Sequence, residues 1–140
     1  MSKIQRCFSE ILKNALVVVC ITIIYGILVH FILKKKENDY LIKLKIPQHP
    51  SINGWSLTHF IFYFYLGYRY PSCLYEAMLI GVLWELTEFS VGEFLPIIVP
   101  KFTHKVDPFW SNWCYGCWED LLFNFAGFLC GRFVKTRLIQ

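Results

Sequence analysis

"LWELTEFSVGEFLP", residues 83–96, places Glu85 and Glu88 one helical turn apart in a run that is otherwise lipid-soluble. Two carboxylates inside a membrane segment cost several kcal/mol unless something compensates them. If this stretch is a membrane helix, its apolar neighbours are membrane helices too, and the acids need a chemical reason to be there.

The neighbours support that reading. The chain has 140 residues, 56% hydrophobic and 19% aromatic, which is too apolar for an ordinary soluble domain. The length allows a single membrane domain over 1–140. The net charge of +4 is modest and the basic residues sit beside apolar runs. That pattern suits a membrane surface and argues against nucleic acid. Residues 15–33 contain no Asp, Glu, Lys or Arg, long enough to span a ~30 Å hydrocarbon core. The N-terminal run lacks a small-residue cleavage site, so it reads as a retained helix.

Outward from there, Pro50 and the N-cap candidate Ser51 predict a helix over about 52–68, closed by Arg69 and Pro71. Ser72 predicts the start of a third, about 73–91, with Gly92 and Pro96 ending it. A Pro- and Trp-rich loop follows to residue 116, then a fourth helix over about 117–134. Trp110, Trp113, Tyr115 and Trp118 resemble an interfacial aromatic belt. The predicted fold is all-α: a polytopic, compact bundle of four transmembrane helices. Orientation stays open, because the two sides carry seven basic residues each.

Polar residues inside these helices gather toward one surface. His59 lies near the start of the second helix, Glu85 and Glu88 near the end of the third, and Glu119, Asp120 and Asn124 near the start of the fourth. Alternating helix direction puts them at one depth, roughly 4–12 Å in at ~1.5 Å rise per residue. Gly81, Glu85 and Glu88 share one helical stripe, and Asp120, Asn124, Gly127 and Gly131 share another. The glycines predict close approach of a neighbouring helix. Either protonation or a cation must hold the acids. Oxygen donors favour a hard divalent ion such as Ca²⁺ on Glu85, Glu88, Glu119 and Asp120, with His59 left for proton transfer. Glu76 reads as interfacial, and His30 and His104 have no evident partners.

The block "WELTE" at 84–88, the following "FLP", a Cys-Trp-acid stretch and N-x2-G-x3-G at 124–131 together resemble the catalytic core of base-exchange phosphatidylserine synthases. "HF" at 59–60 is similar to that family's His-Phe pair. The likeness is best over 83–131. It implies a phosphatidyltransferase of phospholipid biosynthesis in an endoplasmic reticulum-type membrane, where L-serine replaces choline or ethanolamine with the help of Ca²⁺. By position, His59, Glu85, Glu88 and Asn124 are the catalytic residues it implies, and Glu119 stands where the family has an aspartate. A further family aspartate is missing here, and Asp107 is the nearest candidate to compensate. The bacterial VanZ-like membrane proteins share a looser form of the pattern. So small a bundle could also form a homo-oligomer to complete a lipid groove.

Two other classes compete. The six cysteines read mostly as small buried hydrophobes. Cys114 and Cys117, in "WCYGC", have the W-C-x2-C outline of thiol–disulfide exchange. They resemble the pair in four-helix membrane proteins of the vitamin K epoxide reductase type. A non-catalytic membrane scaffold is the third reading.

Overall fold

The computed structural model describes residues 2–28, 40–44, 52–98 and 118–138. Four long helices carry the fold: α1 (Lys3–Leu28), α3 (Gly54–Arg69), α4 (Leu74–Ile98) and α5 (Trp118–Leu138), with a single turn, α2 (Tyr40–Lys43), between the first two. No strand occurs among the described residues.

Three of the four long helices run longer than the apolar pattern alone predicts, while α3 starts two residues later than expected. α1 begins twelve residues before Ala15, because Ser2 and Gln5 form a reciprocal cap. The Gln5 backbone N–H donates to Ser2 Oγ (3.2 Å), and the Ser2 N–H donates to Gln5 Oε1 (2.8 Å). This satisfies two of the donors a helix start leaves open. α3 is capped by Asn53 and not by Ser51, which lies outside the described residues. The Asn53 side chain accepts from the Trp55 backbone N–H at 2.8 Å. α4 does not stop at Gly92 or Pro96 but continues to Ile98. α5 outlasts its predicted end by four residues, with Lys135 and Arg137 in the last turn, where cations complement the helix dipole.

The expectation of four spans is met only in part. α1 is the one described helix that is both long and apolar enough to cross a membrane. α3 has 16 residues, α4 carries four glutamates, and α5 has acids at one end and Arg132, Lys135 and Arg137 at the other.

Packing is tightest between α3 and α5. Gly127, Gly131 and Gly67 make that approach possible. A Cβ at Gly127 would collide with the Phe60 carbonyl, at Gly131 with the Phe64 carbonyl, and at Gly67 with the Phe128 carbonyl. Backbone therefore lies on backbone, the contact small residues allow in bundles. The Asp120–Asn124–Gly127–Gly131 stripe is buried along its whole length, as its spacing predicts. Phe128, Leu66, Ile11, Ala77 and Tyr63 complete the core.

α1 leans on α4 and is tied there covalently. Cys7 and Cys73 form a disulfide across 66 positions, with Cα atoms 5.6 Å apart. Two cysteines read as free small hydrophobes are thus a structural bond; single-sequence spacing could not pair them. Cys20 and Cys130 are free and exposed. Beside the disulfide, Tyr70 Oη donates to Glu10 Oε2 (3.3 Å), Asn14 Nδ2 donates to Tyr70 Oη (3.4 Å), and Lys13 pairs with Glu10 (2.9 Å). The starts of α1 and α4 and the end of α3 therefore share one end of the bundle.

Candidate metal and acid–base site

The opposite half of the bundle brings three helices' polar groups together. His59 comes from the second turn of α3, Glu85 from the middle of α4 and Asp120 from the first turn of α5. One ligand-capable atom from each lies within 4.8 Å of the others. Because α4 runs on to Ile98, Glu85 is its twelfth residue of 25 and not near its end, as the sequence suggested.

These groups are well shielded. Glu85 is 7% exposed, Asp120 8% and Asn124 1%. His59 Nδ1 lies 3.1 Å from Asn124 Oδ1 and 3.8 Å from Glu85 Oε1. With the Asn124 oxygen accepting, Nδ1 carries the proton and Nε2 is left as the basic nitrogen. Asp120 Oδ1, Asn124 Nδ2 and the hydroxyl of buried Ser56 have no hydrogen-bond partner among the described residues. An orphaned buried carboxylate oxygen costs about 1–3 kcal/mol or more. Two buried acids this close repel each other as well, and a cation between them would offset both costs.

Local sequence explains the placement. Glu85 lies one turn after Gly81, whose missing side chain leaves room for α3 and α5. A Cβ there would lie 2.6 Å from Tyr63 Oη and 3.1 Å from Asn124 Nδ2. Tyr63 Oη donates to the Ala77 carbonyl at 3.3 Å. Ser56, His59 and Tyr63 follow i, i+3, i+7 spacing, so α3 turns one polar stripe inward. That spacing was readable, but Ser56 and Tyr63 were not singled out, because hydroxyls do not stand out in an aromatic helix.

The predicted ligand set is only partly assembled. His59, Glu85, Asp120 and Asn124 converge. Glu88 and Glu119 are not members of the three-residue group. Glu88 faces a cavity between α1 and the α3–α4 pair, and Glu119 is half-buried one position before Asp120. His59, expected to be left for proton transfer, offers a ring nitrogen within the same three-residue group. Cys114, Cys117, Asp107, His30, His104, Trp110, Trp113 and Tyr115 lie outside the described residues.

The carboxylates of Glu85 and Asp120 suit a hard divalent cation, and Asn124 Oδ1, 3.1 Å from His59 Nδ1, keeps a second lone pair. No family model, curated protein or solved structure matches this chain.

Proposed function

We propose that the protein is a multi-pass membrane enzyme that exchanges phospholipid head groups, L-serine replacing choline or ethanolamine, in the manner of base-exchange phosphatidylserine synthases. The observation that carries this reading is the convergence of His59, Glu85 and Asp120 from three helices in a shielded pocket. Such intramembrane groups mark function by default.

Glu85 and Asp120 would hold a Ca²⁺ ion, with Asn124 Oδ1 beside them; bound there, it would neutralise phosphate charge. The remaining work belongs to the chain. Asn124 fixes the His59 ring through Nδ1. Nε2 takes the proton of the serine hydroxyl as that oxygen bonds to phosphorus. The phosphorus–oxygen bond to the departing amino alcohol breaks, and the same proton returns to that oxygen. Glu85, 3.8 Å from Nδ1, steadies the imidazolium between the two transfers.

The Cys7–Cys73 bond supports an orientation that basic-residue counts leave open. Disulfides persist in oxidising compartments. The end carrying Cys73 then faces a lumen or the cell exterior, and the acid–histidine site opens toward the reducing side. An endoplasmic reticulum-type membrane fits this arrangement, and a homo-oligomer would enclose more of the lipid.

The test is incorporation of labelled serine into lipid by the purified chain in phosphatidylcholine vesicles, with and without chelator. Cation-dependent incorporation that Glu85→Gln and His59→Ala abolish supports the reading. No incorporation under any cation refutes it.

A further inference from the structure

We infer that the cavity between α1 and the α3–α4 pair seats one extended acyl chain of a membrane lipid, an inference that deepens the head-group reading above and rests on it for the lipid's identity. The cavity measures roughly 540 Å³, within the ~300–1,000 Å³ of ordinary ligand sites. Its α1 wall runs from Phe8 through Leu12, Leu16 and Val19 to Tyr25, with Val18 and Ile21 at its margin. From Phe8 to Tyr25 that wall runs about 25 Å at 1.5 Å per residue. The space is a slot along a helix, a shape for a chain and not for a compact solute.

The slot is greasy along its length and polar at one end. Phe62 and Ile80 line it with Val19, and His59, Glu88 and Asn124 line it beside the acid cluster. Thr58 and Thr87 also line it, but their hydroxyls donate to the Trp55 and Leu83 carbonyls of their own helices, both at 2.7 Å. Spent hydroxyls leave methyl groups for the cavity. An occupant that is apolar for most of its length and polar where it meets His59 is an amphiphile. The disulfide holds the far end of the α1 wall against α4. On its outer side, α1 exposes Val17, Ile24 and Leu28, which suits bulk lipid.

The experiment uses the full chain in nanodiscs doped with phosphatidylcholine bearing a mid-chain diazirine. After illumination, adducts are mapped by mass spectrometry. Adducts concentrated on Val19, Phe62 and Ile80, above the level on outward-facing Ile24 and Phe133, support the seat. Val19→Trp and Leu16→Trp, each still forming the Cys7–Cys73 bond, lose those adducts, and Ile24→Trp keeps them. Adducts distributed by surface exposure, cavity residues linked to a second copy of the chain, or cavity adducts surviving both filling variants overturn it. Labelling needs neither cation nor turnover. Cavity adducts without serine exchange keep the seat and refute the exchange reading; exchange without cavity adducts refutes the seat alone.

Discussion

His59 Nδ1 and Asn124 Oδ1 stand 3.1 Å apart across 65 positions of sequence, joining the start of α3 to the start of α5. The contact lies just above the point where Gly127 lets α5 touch the Phe60 carbonyl. Close backbone packing and polar geometry are therefore one feature: the glycine contacts set the distance at which histidine meets amide.

Asn124→Ala removes the acceptor from a residue 1% exposed and leaves the His59 Nδ1 proton without it. The expected loss is about 1–3 kcal/mol of stability, read as a lower unfolding midpoint in detergent. His59→Ala with Asn124→Ala should cost less than the sum of the singles, because the two residues share one interaction.

Gly67→Ala and Gly131→Ala each push a methyl into a backbone carbonyl of the facing helix. Backbone cannot rotate away as a side chain can, so each should destabilise by about 1–3 kcal/mol or more. An unchanged thermal midpoint in either variant would contradict the α3–α5 contact.

Reduction should loosen α1. A bond closing a loop of 66 positions contributes about 2–4 kcal/mol. Reductant is expected to lower the midpoint of the native chain and leave Cys7→Ser/Cys73→Ser unaffected. Non-reducing electrophoresis of protein from intact membranes should show the Cys7–Cys73 cross-link, and a membrane-impermeant alkylator applied after reduction should reach Cys73 only from the oxidising side.

Much of the site was legible in the sequence because helical periodicity carries direction. Asp120, Asn124, Gly127 and Gly131 declare one face, and that face is the buried one. Glu85 and His59 were identifiable as acids and bases in apolar company. What periodicity cannot give is rotation about a neighbour's axis. Glu88, one turn beyond Glu85, lines the α1 cavity together with His59 and Asn124, and spacing alone could not say which of the two acids meets His59 Nδ1. Gly67 was missed because a lone glycine in an aromatic helix gives no sign of the carbonyl it will meet. Helix ends were misplaced where caps and not apolar runs decide them, at Ser2 and Asn53. The disulfide needed three dimensions, since nothing in the spacing distinguishes Cys7–Cys73 from other pairings.

Glu85→Gln keeps the shape of the side chain and removes a buried charge. In chelator the variant should be at least as stable as the native chain, since one carboxylate fewer beside Asp120 lessens the repulsion between buried acids. In saturating cation the order should reverse, because only the native chain gains binding energy. Thermal unfolding of both proteins with and without Ca²⁺ checks the crossing.

The most direct measurement is a calorimetric titration of the native chain with Ca²⁺, in parallel with Glu85→Gln and Asp120→Asn. One cation bound per chain, with binding lost in both variants and retained in Glu76→Gln, is the predicted result. No binding of Ca²⁺ to the native chain, or binding indifferent to Glu85 and Asp120, would contradict a cation held among three helices.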